Sequence, residues 1–326
     1  MIEKSILPYF LEFKFPFGLS HNTRKGTNVV YLRLKNGIHT GYGEAELPPY
    51  LPETVESVTT FLEDIILPSD LENTSIKLYM ESISKIHDGN LAAKAALDMA
   101  LYDLKSSITS KSIEFFLEIN EVIDVPESTY TIGIGDISDL DEKLKNGENY
   151  SKIKLKIGSD DDVHLIKAYR KRSDKPFCVD VNQGWDSFEK SREMVDLLVK
   201  EGCFLIEQPF KKACFTEHKL LKDYVSIPVI ADESFQTIKD LYNIKDCFDG
   251  INIKLAKCGG LSHAKEILTK AKKKNLKCLV GCMSGSSVAI NAAKKLAPLC
   301  DWVDLDGPDL IKNDPDVEQL FANAMN

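Results

Sequence analysis

Charged residues stand at the ends of apolar runs through the second half of this sequence, and their types fit one kind of chemistry. Three runs close on a carboxylate: Val179-Asp180-Val181-Asn182, Leu205-Ile206-Glu207-Gln208-Pro209 and Ile230-Ala231-Asp232-Glu233-Ser234. Two close on lysine: Lys152-Ile153-Lys154-Leu155-Lys156 and Ile251-Asn252-Ile253-Lys254. Another, Val303-Asp304-Leu305-Asp306, sets two aspartates on one face of a strand. Asp180, Glu207 and Asp232 offer hard oxygen ligands, which suit Mg2+ because it keeps positions open for water or substrate oxygens. Their other use is salt-bridging to the lysines. Lys156 and Lys254, on opposite sides of such a metal, are equipped to take a proton from one face of a carbon acid and return one to the other. An α-proton beside a carboxylate is weakly acidic; the metal stabilises the enediolate, and a neutral lysine accepts the proton. Lys154 is expected to depress the pKa of Lys156 beside it, because like charges disfavour the charged form.

These residues need a scaffold that brings strand ends together. From Thr129 onward, short apolar strands alternate with helix-length amphipathic runs. The strands read as Thr129–Ile134, Lys152–Ile157, Phe177–Val181, Phe204–Glu207, Val229–Asp232, Gly250–Lys254, Lys277–Gly281 and Val303–Leu305. Eight units at a spacing of about 25 residues predict an α/β fold of (β/α)8-barrel type, with a doubly wound sheet as the runner-up. Barrel active sites are built at the C-terminal ends of the strands, where these charges stand. In the lysine strand, Ile153, Leu155 and Ile157 should face the helices, which turns Lys154 and Lys156 inward. Inward charge is costly unless paired or functional.

The first ~115 residues read differently. Strand-like Leu11–Phe17 and Asn28–Leu34 are followed by Asn36-Gly37, a hairpin signal, and a return strand at Gly41–Ala45. Helical spacing follows at Glu53–Ile66, Ser75–Ile86 and Leu91–Ser106, giving an α+β capping domain. The predicted division is 1–118 for the cap, 119–310 for the barrel and 311–326 for a short tail.

Composition narrows the function classes. The chain has 326 residues, 43% hydrophobic and 28% charged, with a net charge of −9, which excludes a disordered chain and disfavours nucleic-acid binding. The run Lys272-Lys273-Lys274 reads as a solvated helix face. No apolar stretch suits a membrane span and no signal peptide is evident, so a cytoplasmic location is expected. The eight cysteines form no C-x-x-C pair and read as reduced core residues. The six histidines, His21 the most open to question, read as exposed or capping and do not converge, which argues against zinc.

The residues resemble the enolase superfamily, in its muconate-lactonizing-enzyme-like subgroup, and within it the dipeptide epimerases. Gly41-Tyr42-Gly43-Glu44-Ala45 and Ala96-Leu97-Asp98-Met99-Ala100-Leu101-Tyr102-Asp103-Leu104 match the cap; Lys154-Leu155-Lys156-Ile157-Gly158 matches the K-x-K motif. Asp180 to Trp185, Glu207-Gln208-Pro209 and Ala231-Asp232-Glu233-Ser234 match the metal strands, and Ile253-Lys254-Leu255-Ala256-Lys257-Cys258-Gly259-Gly260 matches the opposing-lysine segment. The resemblance implies an isomerase that moves a proton at the α-carbon of the C-terminal residue of a dipeptide, Ala-Glu-like or another Ala-X, through an enediolate. It implies Lys156 and Lys254 as acid/base residues, Lys154 as an electrostatic aid, and Asp180, Glu207 and Asp232 as Mg2+ ligands. Asp304 and Asp306 would hold the α-ammonium, Arg24 or Lys25 would meet an acidic side chain, and Thr131 and Met283 would line the substrate site. The implied partner is a small-molecule dipeptide, and a homo-oligomer is compatible. Alternatives are an o-succinylbenzoate synthase or cycloisomerase of the subgroup, or a non-catalytic ligand-binding relative. Three features depart from the pattern: Gly285 where relatives often have Glu, a C-terminus shorter than in relatives whose further segment packs on the cap, and the specificity loop near 17–25.

Overall fold

The computed structural model describes residues 1–19, 22–120, 124–133, 137–159 and 161–324. The cap opens with a long antiparallel ribbon, β1 (Glu3–Leu19) against β2 (Asn22–Asn36), and β3 (His39–Leu47) completes a sheet in the order β1-β2-β3. The ribbon is longer at both ends than the apolar runs predict. Pro8 pairs with Val30 on β1, an edge strand, where a missing N–H is tolerated. The polar and basic residues flanking the apolar runs, Glu3-Lys4-Ser5 and Arg24-Lys25, hide the strand from a hydrophobicity reading. Within the segment 17–25 the described residues pair across the ribbon, Phe17 with Arg24 and Leu19 with Asn22, past a register shift between Glu12 and Phe17. His21 lies outside the described residues.

Three helices cover the sheet: α1 (Val55–Asp64), α2 (Ile76–Ile86) and α3 (Leu91–Thr109). Thirteen of the nineteen residues of α3 are buried and only Ser107 is exposed; the helix lies between the cap sheet and the barrel helix Leu255–Cys258. Its alanines allow close approach to β3. A Cβ on Gly43 would sit 1.9 Å from the Ala96 carbonyl oxygen, so only glycine fits that crossing.

The barrel strands are β4 (Thr129–Ile132), β5 (Lys152–Lys156), β6 (Phe177–Asp180), β7 (Cys203–Glu207), β8 (Val229–Ala231), β9 (Gly250–Ile253), β10 (Lys277–Gly281) and β11 (Trp302–Asp304). They pair in parallel in sequence order, and a parallel bridge between Ser128 and Val303 brings the two ends of the sheet together. Ile153, Leu155 and Ile157 pack with Tyr169 and Leu198 from the helix layer, while Lys154 and Lys156 are buried inside. The inward turn of the lysines is therefore as predicted.

Two cap carboxylates lock the cap to the barrel. Glu44 of β3 accepts the backbone N–H groups of Ser286 (3.0 Å) and Ala289 (3.1 Å) and the Ser286 hydroxyl, at the start of the helix Ser287–Lys294. Asp98 of α3 accepts the Ser262 N–H (3.0 Å) and hydroxyl (2.7 Å), at the start of the helix Leu261–Lys273. Each supplies carboxyl oxygens as acceptors for orphaned N–H groups at a helix N-terminus. The segment after the barrel also reaches the cap. Ile311 bridges to Phe13, Lys312 N donates to Glu12 O (2.8 Å), and Phe321 is buried with Leu11, Phe13, Val29 and Tyr31. All eight cysteines are free. Among the described residues no helix is long and apolar enough to cross a membrane.

Candidate active site

In-register pairing of β5, β6 and β7 sets the central charges side by side: Lys156 opposite Asp180, and Asp180 opposite Glu207. Lys154 Nζ lies 2.7 Å from Glu207, 2.7 Å from Asp304 and 3.2 Å from Asp180. Lys156 donates to Asp180 as well. Lys154 and Lys156 thus share an anion, in place of the bare like-charge pair expected. Just beyond β8 and β9, Lys254 Nζ lies 2.7 Å from one oxygen of Asp232, and Lys257 is paired to the other. Asn252 donates to Glu207 Oε1 at 2.7 Å.

Burial alone would lower the pKa of Lys154, but Asp304, Glu207 and Asp180 hold it well above the usual lysine range. Burial likewise opposes the charged form of Lys254, and Asp232 outweighs it. Burial would raise Asp232, but Lys254 and Lys257 hold its carboxyl well below the usual range. Burial and neighbouring Asp180 push Glu207 up.

One carboxylate oxygen each from Asp180, Glu207 and Asp232 lies within 4.8 Å of the others, and all three side chains are buried. The donor set is entirely carboxylate oxygen, as a hard divalent cation requires. The local charge balance agrees. Lys154, Lys156, Lys254 and Lys257 face Asp180, Glu207, Asp232, Glu233, Asp304 and Asp306, which leaves an excess of negative charge. That excess falls on the two carboxyl groups with no ion-pair partner among the described residues. Burial, with Asp232 and Asp180, pushes Glu233 up to about 8; burial, with Asp304, pushes Asp306 up to about 7. A divalent cation on the three carboxylates would relieve this excess, so the residues present fit Mg2+.

Above the cluster opens a cavity of about 280 Å3, lined by Lys154, Lys156 and Lys254 and by five residues predicted to meet substrate, Thr131, Arg24, Met283, Asp304 and Asp306. Asp304 accepts the Thr129 hydroxyl besides Lys154, and Asp306 accepts the Thr131 backbone N–H at 2.5 Å. Arg24 enters from the ribbon tip, its guanidinium 5.6 Å from the Phe13 ring, and its buried Nη1 has no hydrogen-bond partner. The sequence reading missed Tyr50, whose hydroxyl donates to Met283 Sδ, and Lys257. Lys257 carried a signal, since it follows Lys254 by three residues; Tyr50, in an irregular cap segment, carried none. His218 is a correction: it is fully buried between Phe210 and Phe248, bonded to Cys214 O (2.8 Å), and burial lowers its pKa to about 4. It is a neutral core residue, neither exposed nor capping.

Two family models match, the mandelate racemase / muconate lactonizing enzyme N-terminal domain over residues 1–117 and the enolase C-terminal domain-like model over 138–309. The chain belongs to the enolase superfamily. Among curated relatives, the L-Ala-D/L-Glu epimerase of Bacteroides thetaiotaomicron is 35% identical over 314 residues, covering 96% of this chain and 82% of that one. Among solved structures, the substrate-liganded L-Ala-D/L-Glu epimerase of Bacillus subtilis superposes with a TM-score of 0.85 at 27% identity, covering 96% and 92% of the two chains. The dipeptide epimerase of Enterococcus faecalis, complexed with Mg and L-Leu-L-Tyr, gives 0.86 at 25% identity, covering 96% and 92%. The enolase-superfamily architecture accounts for the site's place at the strand ends beneath a cap.

Proposed function

We propose that this protein is a cytoplasmic, Mg2+-dependent dipeptide epimerase that inverts the α-carbon of the C-terminal residue of an Ala-X dipeptide. The observation that carries the reading is the composition of the one cavity wall: two acid/base lysines, Lys156 and Lys254, from strands four positions apart in the barrel, together with the Asp304/Asp306 pair. Mg2+ bound by Asp180, Glu207 and Asp232 would draw charge from the substrate carboxylate and acidify the neighbouring α-proton. Lys156 and Lys254 then hold and move the proton at their Nζ atoms, one on each face of the α-carbon. Lys154, fixed by three carboxylates, supplies a permanent positive charge beside the developing anion. Asp306 receives the substrate ammonium, a cation that fits a carboxyl group held in a region of excess negative charge. A cycloisomerase substrate has no ammonium to place there. The cap closes the cavity with Arg24, whose unpartnered Nη1 suits an acidic side chain, which favours glutamate as X. The test is incubation with Mg2+ and Ala-X dipeptides in D2O, with mass spectrometry of the α-position. Deuterium uptake that is highest on Ala-Glu and lost with EDTA supports the reading; no uptake on any dipeptide by folded, Mg2+-loaded protein overturns it.

A further inference from the structure

Lys143 is a buried cation with no hydrogen-bond or ion-pair partner among the described residues; it is 7% exposed. It belongs to the short helix Leu140–Asn146 that follows β4. It stands three residues after buried Leu140 and next to Leu144, both of which pack on the barrel core. It therefore lies on the helix face that meets the barrel, where an apolar residue ordinarily stands. Asp141, on the same helix, is engaged by Arg172 at 2.8 Å. The Lys143 ammonium lies 6.0 Å from the centre of the Phe15 ring, at the outer limit of a cation–π contact. A buried charge so placed is costly, whereas leucine or methionine would fill the same space without that cost.

The cap ribbon is shaped to cover this lysine. Glu12 pairs with Gly26 and Phe17 with Arg24, so four residues of β1, Phe13 to Pro16, stand opposite Lys25 alone. The bulge sets Phe13 beside Ile311 and Phe15 over Lys143. Under it lies a cavity of about 20 Å3 bounded by Phe15, Tyr130, Thr131, Ile132, Lys143 and Leu310, in which Lys143 is the one charged wall residue. The volume admits one water-sized group, such as the end of a side chain. Thr131 and Leu310 also line the substrate cavity, so the two spaces share a wall. The Thr131 N–H donates to Asp306, to which the proposed reading gives the substrate ammonium. The first residue of the dipeptide is then anchored beside this wall. We propose that the cavity under Phe15 is a subsite for the side chain of that first residue, and that Lys143 takes a carboxylate there. Glutamate, whose carboxylate stands two methylenes beyond the α-carbon, has the reach. The inference rests on the dipeptide-epimerase reading and extends it from the second residue, which Arg24 faces, to the first.

The experiment offers L-Ala-L-Glu, L-Glu-L-Glu and L-Gln-L-Glu with Mg2+ in D2O and reads deuterium at the α-carbon of the second residue. Rates against substrate concentration give kcat and KM separately. The wild type should favour Glu-Glu over Gln-Glu by about tenfold to a hundredfold in kcat/KM, the range of one charge-assisted hydrogen bond. Lys143→Met, which keeps an apolar stem and removes the charge, should bring that ratio close to unity through KM. Lys143→Arg should keep a preference, and Lys143→Gln serves if the Met variant does not fold. Four results overturn the proposal while uptake on Ala-Glu leaves the epimerase reading intact: no preference for Glu-Glu in the wild type, turnover of neither Glu-Glu nor Gln-Glu, a ratio unchanged in the uncharged variant, or an equal loss on all three substrates. Absence of uptake on Ala-Glu by folded, Mg2+-loaded wild type overturns both.

Discussion

Buried carboxylates occur in two regions of this molecule and are stabilised in two different ways. At the barrel mouth, Asp180, Asp232 and Asp304 face lysine ammonium groups, which hold their carboxyls below the usual range despite burial. Along the seam between cap and barrel, Glu44 and Asp98 face backbone N–H groups and serine hydroxyls, and burial pushes each up to about 7. The mouth keeps mobile charge: an ammonium can be displaced by a metal or lend a proton. The seam keeps fixed dipoles, which hold two domains together and take no part in proton transfer. Burial alone therefore does not mark a catalytic acid here; the nature of the partner does.

The largest expected effect comes from unpairing the mouth. Asp232→Ala removes the carboxylate that Lys254 and Lys257 both pair with, and loss of one partner of a buried pair costs roughly 3–5 kcal/mol. Asp232→Asn, a milder change, should abolish the rise in Tm that Mg2+ gives the wild type, a gain of about 2.7 kcal/mol at a hundredfold excess over Kd. Asp98→Asn should keep that rise, because among the described residues the carboxylates grouped to hold a metal are Asp180, Glu207 and Asp232. A Mg2+ response lost equally in both variants would break the distinction between the regions.

The next effect is at Asp306. Its carboxyl titrates at about 7 in the free protein, and only the ionised form holds a substrate ammonium well. The ratio kcat/KM should fall by up to tenfold per pH unit below that value, with kcat less affected. Asp306→Asn should raise KM and flatten the profile.

The test sharpest for the seam is stability against pH. Asp98 titrates near 7 when folded and at 3.8 as an ordinary aspartate. The folded state therefore binds more protons between these values. Its contribution is fully present below about pH 4 and is lost as pH rises through about 7. Chemical denaturation should show this part of the stability growing from pH 8 to pH 5, and Asp98→Asn should remove it. The mouth aspartates act in the opposite sense: their pKa values are lowered on folding, so their stabilisation is present above the usual aspartate range and is lost as pH falls below it.

Much of this arrangement was legible in the sequence because a barrel imposes it. Alternation alone turned Lys154 and Lys156 inward, and a strand end is a fixed address in this fold, so Asp180, Glu207 and Asp232 could be placed beside one another before any coordinates. The helices Asp162–Arg170, Phe188–Lys200 and Leu261–Lys273 likewise fill the amphipathic runs between the strands, since each carries one apolar stripe. What could not be read depends on contacts between distant segments. Glu44 and Asp98 find their donors 242 and 164 residues away. The first half of β1 is recognisable only through its pairing with β2. His218 shows the same limit, because a histidine on an amphipathic helix looks exposed until the rings of Phe210 and Phe248 are seen to enclose it.

The central claim is that two lysines serve opposite faces of one carbon, and single-lysine variants test it most directly. With Mg2+ and each dipeptide epimer in D2O, Lys156→Ala and Lys254→Ala should each lose inversion by a factor on the order of 10^3. Each should still exchange the α-proton of one epimer, and the two variants should retain opposite epimers. If both variants retain exchange on the same epimer, or if either still inverts at the wild-type rate, the two-face account is wrong.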